Sequence, residues 1–115
     1  MRALESALPA LKKYRVPNIV VEWFPRRWDW NGISVSRGIA LLEQLHDMGY
    51  KIFIYNLNLQ YDVKELRQIK VGGGIIWEIP REKIAHMHEY LMDPNKASYG
   101  EANLWLSDDI MSYMA

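Results

Sequence analysis

The chain has 115 residues, about the length of one ordinary domain, and half of them are hydrophobic, which excludes disorder along most of its length. Fourteen basic residues balance fourteen acidic ones, so the charge gives no indication of a nucleic-acid-binding protein. Cysteine is absent, which excludes disulfides, thiolate metal sites and a cysteine nucleophile.

The apolar residues predict neither a membrane span nor a secretory leader. No apolar run approaches the roughly 20 residues that a helix needs to cross a bilayer. The first six residues, MRALES, lack the long apolar stretch of a signal peptide. We therefore expect an intracellular protein, cytoplasmic or organellar, that is not secreted.

The beginning of the chain predicts a helix followed by a buried strand. Leucines at helical spacing mark residues 2–14 as a helix, which Pro9 should kink. Residues 19–24 are β-branched and aromatic, a strand signature. Because this run is almost entirely apolar rather than alternating, it is typical of a strand covered on both faces in a parallel sheet. Residues 25–32 predict a loop.

A second helix and a second strand come next. Ser34 or Ser36 can cap a helix that carries apolar residues at helical spacing, and Gly49 is suited to end it with a positive φ. A strand at 51–57 follows almost at once. This succession of strand, helix, glycine and strand predicts a right-handed crossover between two parallel strands.

The second half of the chain has shorter signals. Residues 63–69 favour one or two helical turns, and Gly72-Gly73-Gly74 predicts a flexible break before a strand at 75–79. Pro80 suits the first position of a last helix, where its missing N–H costs nothing. A short strand at 102–106 and a frayed tail complete the chain.

These elements predict an α/β fold with a partial Rossmann-like, three-layer mixed sheet of about three to four strands. We expect residues 1–92 to form a single partial domain and residues 93–115 to form a C-terminal extension with the short strand. A doubly wound domain normally begins with a strand and a phosphate-binding turn, whereas this sequence begins with a helix. The strand at 19–24 would then be a central strand with one neighbour missing. We therefore expect a protein partner, or the missing half of the domain, at its edge.

Three segments, PNIVVEWFPRRW, GIALLEQLHDMGYKIFIYNL and NLWL, resemble the C-terminal part of FkbM-type methyltransferases. The resemblance covers residues 2–57 well, and residues 103–107 are a weaker match. It implies the C-terminal half of a class I, S-adenosylmethionine-dependent fold. In that family the glycine-rich cofactor turn, the ribose-binding acid and an Asp-x-Glu-Gly strand end would all precede Met1, and this sequence contains none of them. Gly72-Gly73-Gly74 does not match the G-x-G-x-x-G pattern.

The segment EWFPRRWDWNG, at the end of the strand at 19–24, is the candidate site. Ligands of open α/β sheets bind beyond the carboxyl ends of the strands. Its arginines could hold a phosphate or carboxylate while its tryptophans stack on a substrate, or the same side chains could pack against a partner. Glu22 places a carboxylate within the apolar strand, and because burying an unpaired charge is costly, this side chain needs a partner or a crevice. We predict a substrate or interface loop made of Glu22, Trp23, Arg26, Arg27, Trp28 and Trp30.

The sequence predicts no catalytic, cofactor-binding or metal-binding residue in this chain. His86 and His88 stand two residues apart on a predicted helix and point to different sides, unlike the i, i+4 pair of a helical zinc site. Two functions stay open. The chain is either a non-catalytic binding or scaffold subunit of a larger complex or oligomer, or the C-terminal piece of an active FkbM-type methyltransferase. We expect no catalysis by the chain alone, and S-adenosylmethionine binding only where the missing half is present.

Overall fold

The computed structural model describes residues 1–55, 66–96 and 101–110. These ranges contain four α-helices, one short 3₁₀ turn and five strands. In chain order the elements are α1 (Arg2–Lys13), β1 (Asn18–Trp23), α2 (Pro25–Trp30), α3 (Val35–Asp47), β2 (Lys51–Ile54), β3 (Gln68–Val71), β4 (Gly74–Ile79), the 3₁₀ turn (Arg81–Lys83), α4 (Ile84–Met92) and β5 (Ala102–Ser107).

The five strands form one sheet in the order β1-β5-β2-β4-β3, and every neighbouring pair is antiparallel. The predicted mixed sheet of three to four strands is therefore wrong. β1 and β2 do point the same way, because each is antiparallel to β5, but β5 lies between them. This strand comes from the segment 93–115, far along the chain from both of its neighbours.

All four helices pack on one face of the sheet. Their apolar side chains share one core with alternate strand residues such as Trp23, Ile52 and Leu104. The opposite face carries a smaller cluster formed by Phe53, Ile69, Ile76 and Ile110. In the described ranges the molecule thus has two layers, and the predicted three-layer arrangement is wrong. The second apolar cluster explains the error, since it makes the strands apolar on both faces without a helix on each.

Among the described strands β1 lies at an end of the sheet, and the described residues do not cover it on both faces as predicted. Trp23 is fully buried toward the helices, whereas Val20 is 64% exposed and Glu22 is exposed. Exposure alternates along this strand even though hydropathy does not. A run of apolar residues therefore does not by itself distinguish a central strand from an open edge.

The glycines at two turns explain how the chain reverses. Gly49 has a φ of 104° after α3, which confirms the predicted helix end. Gly72 has a φ of 58° and begins a two-residue turn between β3 and β4, where Val71 pairs with Gly74. The glycine run is thus a tight hairpin turn rather than a flexible break. Residues 68–71 form a strand, not a helical turn, and the rest of that prediction, like the end of the strand expected at 51–57, lies outside the described residues.

One arginine fixes the end of the sheet opposite to the candidate site. Arg15 pairs with Asp108 and donates to the carbonyl of Met48 at 2.6 Å. Its guanidinium also lies 4.3 Å from the ring centroid of Tyr50. These contacts join the start of β1 to the α3–β2 turn and to the end of β5.

Candidate functional site

The segment predicted as a loop after β1 is a helix, α2. Pro25 occupies its first position, where a missing N–H leaves no hydrogen bond unmade. Gly32, with a φ of 71°, ends it, and the N–H of Ile33 returns to the carbonyl of Trp28 at 2.8 Å. The side-chain amide of Asn31 donates to the carbonyl of Arg27 at 2.9 Å. The loop prediction is wrong because the proline begins a turn of helix instead of breaking one.

Two of the predicted tryptophans belong to the core. The Trp23 and Trp28 rings meet edge to face, with centroids 4.6 Å apart and an angle of 88° between their planes. The indole Nε1–H of Trp23 donates to His88 Nε2 at 2.8 Å. This buried aromatic cluster fixes α2 against α4.

Gly38 on α3 makes room for the cluster. A β-carbon at this position would lie 2.8 Å from Trp28 Cη2 and closer still to Cζ3. Any other residue would therefore push Trp28 out of its place. Sequence reasoning missed Gly38, although a glycine inside an apolar helical pattern is a signal of close packing.

A cleft of about 440 Å³ opens beyond the carboxyl end of β1, between α2 and the start of α1. This volume lies within the range of small-molecule sites. The arginines on its wall are Arg2 and Arg27, and the Arg27 guanidinium lies 4.8 Å from the centroid of the Phe24 ring. The side chains that carry its chemistry are Arg2, Glu22, Phe24, Arg27, Trp28 and Asn31.

The structure brings together half of the predicted site residues. Glu22, Arg27 and Trp28 line the cleft. Trp23 lies in the core, and Trp30 is 73% exposed with its ring edge-on to Phe24. Arg26 is half-buried on α2. The alternation of β1 separates Trp23 from Glu22, although the two are adjacent in the sequence and were predicted to share one site.

The cleft combines two guanidinium groups, one amide and one carboxylate above an aromatic floor. Guanidinium groups bind carboxylates and phosphates in planar, paired geometry. Within the described part of the chain, no group of three or more acidic, histidine or cysteine side chains is placed to hold a metal ion. The arrangement is thus suited to binding an anionic group, and the described residues of the cleft wall include no nucleophile with an adjacent base.

His88 is held as a neutral imidazole. Its Nδ1–H donates to the carbonyl of Ile84 at 2.8 Å, and its Nε2 accepts from Trp23, so both ring nitrogens have partners. Burial lowers the pKa of His88 below its ordinary value of 6.5, with the hydrogen bond to Ile84 opposing that shift. This histidine supports the floor of the cleft and does not act as a base.

The buried imidazole should make folding stability depend on pH. The pKa of His88 is lower in the folded than in the unfolded chain. The stability that the neutral imidazole contributes is therefore full above pH 6.5, and it is lost as the pH falls from 6.5 toward the folded pKa. The loss approaches about 1.4 kcal/mol per pH unit within that window. Urea unfolding on both sides of pH 6.5 measures it. His88→Gln should flatten this dependence and exposed His86→Asn should keep it, so an equal slope in both variants would contradict the assignment.

Comparison with known proteins identifies no relative: no family model, no curated protein and no solved structure matches this chain. None of the helices in the described ranges has the length and the apolar run that crossing a bilayer requires.

Proposed function

We propose that this chain is a non-catalytic binding or scaffold subunit of a larger assembly, in which it is held through the open edge of β1. The observation that carries the proposal is the position of β1 at the end of the sheet, with Val20 64% exposed on it. Open strand edges offer unpaired backbone groups to another chain. The proposal places the protein inside the cell, which its cysteine-free composition fits.

The contents of the cleft favour binding over catalysis. Methyl transfer depends on positioning a donor sulfonium against a nucleophile. Among the described residues of the cleft wall, Glu22 is the one carboxylate, and His88 is engaged on both ring nitrogens beneath it. The chain therefore supplies side chains for recognition, and a cofactor such as S-adenosylmethionine would have to be held by another half of the domain.

One observation favours a second function, as the C-terminal piece of an active FkbM-type methyltransferase. The cleft lies beyond the carboxyl end of β1, within the segment that resembles FkbM-type methyltransferases, and Arg27 lines it. In this alternative the cofactor-binding half would complete the sheet beside β1, and Arg27 and Glu22 would contact the methyl acceptor. The protein would then bind S-adenosylmethionine.

Two measurements separate these functions. The first compares the native and denatured masses of the protein in extracts of its source. A denatured mass near 13.5 kDa within a much larger particle supports the subunit, whereas a denatured mass two or three times larger supports the methyltransferase. The second is calorimetry with S-adenosylhomocysteine. Micromolar binding by the isolated 115-residue chain would overturn the proposal that the donor site lies elsewhere.

The α2 arginines should contribute to assembly. Changing Arg26 and Arg27 together to alanine should weaken incorporation into the native particle by about ten-fold or more, since Arg is a frequent anchor of interfaces. The matched control is Lys12→Ala with Lys13→Ala, a second basic pair on the exposed end of α1. Size-exclusion chromatography gives the incorporated fraction, and thermal unfolding confirms that both variants are folded. Equal loss in the two pairs would show a general charge effect instead.

A further inference from the structure

The two ends of the sheet differ in how they are protected against pairing. β3, at one end, has four residues, with Gln68 and Lys70 exposed. Short edge strands that carry lysine resist the addition of another strand. β1, at the other end, has six residues with neither lysine nor proline, and Val20 is largely exposed. β1 is therefore the end at which this sheet can be extended.

The hydrogen bonds of β1 show which backbone groups face outward. The N–H of Asp108 donates to the carbonyl of Pro17 at 3.1 Å, in the same register that pairs Ile19 with Leu106. Hydrogen-bonded and non-hydrogen-bonded pairs alternate in an antiparallel ladder. Odd-numbered residues of β1 consequently face β5, and Val20 and Glu22 turn their N–H and C=O groups to the open side.

We infer that this edge pairs with β1 of a second copy of the chain, antiparallel, around a two-fold axis at Val20. The inference rests on the proposed function, in which the edge is a binding surface, and it names the partner. An axis perpendicular to the sheet keeps the helices of both copies on the same face. Each Val20 then lies opposite the other, and the two copies share a sheet of ten strands, five from each.

This register matches side chains on both faces. Ile19 lies opposite Val21 on the helix face, Val20 opposite Val20 on the other face, and Asn18 opposite Glu22 at each end. Directly opposed apolar pairs of this kind stabilise a sheet, and directly opposed like charges destabilise it. An axis at Val21 would place Glu22 opposite Val20, and an axis at Glu22 would place two carboxylates opposite each other. Of these three registers, the one with its axis at Val20 alone places no carboxylate opposite an apolar residue or another carboxylate.

The pairing involves few residues on each copy. An interface limited to one strand pair lies at the small end of specific protein–protein contacts. We expect a dimer that dissociates on dilution and that coexists with the monomer, as sedimentation velocity over a range of concentrations would show.

A single introduced cysteine tests the register, because the chain contains no cysteine of its own. Directly opposed residues in a hydrogen-bonded antiparallel pair have Cα atoms about 5.5 Å apart, which a disulfide can span. Val20→Cys should therefore yield a covalent dimer under mild oxidation. The control is Ile75→Cys, another exposed apolar residue, on β4 inside the sheet. Failure of Val20→Cys to crosslink faster than this control would overturn the inference.

A charge exchange tests the two-fold axis. Val20→Lys alone and Val20→Glu alone should each lose most of the dimer, because like charges face each other, while a mixture of the two should form a heterodimer. Ile75→Lys should dimerise like the unchanged chain. Two variants that fail to associate when mixed would overturn the inference, as would an unchanged chain that stays monomeric at every concentration.

The outcomes also separate this inference from the proposed function. If the purified chain is monomeric but occurs within a large particle in extracts of its source, the inferred dimer is contradicted. The proposed function as a subunit is then still supported, with a different partner at the edge of β1. A chain that is monomeric both when purified and in the extracts would contradict the inferred dimer and the proposed function alike. A crosslinked Val20→Cys dimer supports the second copy directly.

Discussion

Replacing Gly38 by alanine should lower the free energy of unfolding by about 3 kcal/mol, a large effect for one added methyl group. The added carbon would lie 2.8 Å from Trp28 Cη2, within an interior that has no room for it. Overpacking of this kind typically costs about 1–3 kcal/mol, and occasionally more. Urea denaturation of the two proteins, monitored by tryptophan fluorescence, gives the difference.

Another glycine of the chain provides the matched control. A β-carbon added at Gly73 would have no heavy atom within 4 Å, and the φ of Gly73 is not positive, so Gly73→Ala should change stability by less than about 0.5 kcal/mol. Combining Gly38→Ala with Trp28→Leu should cost less than the sum of the two single changes, because the smaller side chain removes the clash. Additive costs would show that the two residues do not compete for one space.

Changing Trp23 to phenylalanine in the otherwise unchanged chain should also lower the free energy of unfolding by about 3 kcal/mol. The change removes part of a fully buried ring and leaves His88 Nε2 without its donor. An unsatisfied buried acceptor costs about 1–3 kcal/mol, and the cavity adds to that. Thermal or urea unfolding measures the effect.

Trp30→Phe is the control for this change, since Trp30 is 73% exposed and should tolerate it within about 0.5 kcal/mol. Adding His88→Leu to Trp23→Phe should recover part of the loss, because the pair of polar atoms then disappears together. A double variant as unstable as the sum of its parts would contradict the role given to this hydrogen bond.

The sequence predicts most of the local structure and little of the pairing. Helical spacing, the glycine at 49 and the proline at 80 identify α3 and the region of α4. Local patterns carry no information on which strands become neighbours, and that choice depends on contacts between distant segments. The segment ANLWLS predicts a strand, but nothing in it indicates that β5 lies between β1 and β2.

The candidate site was predictable in its location and less so in its members. The carboxyl end of β1 and the residues after it do form a cleft with Arg27 and Trp28. Trp23 and Glu22 face opposite sides because strand residues alternate, a rule that the apolar composition of β1 conceals. Arg2 lines the cleft through tertiary packing alone, and no local pattern could assign it there.

The central place of β5 has a consequence for how the protein is made. Asn18 and Ser107, which pair at one end of the β1–β5 ladder, are separated by 89 residues. A ribosome emits β1 well before β5, so β1 stays detached from the other strands of the sheet until β5 has emerged. Contacts this distant in sequence also slow the final closure of the sheet. During that interval the apolar residues of β1 are exposed to chaperones and to other nascent chains.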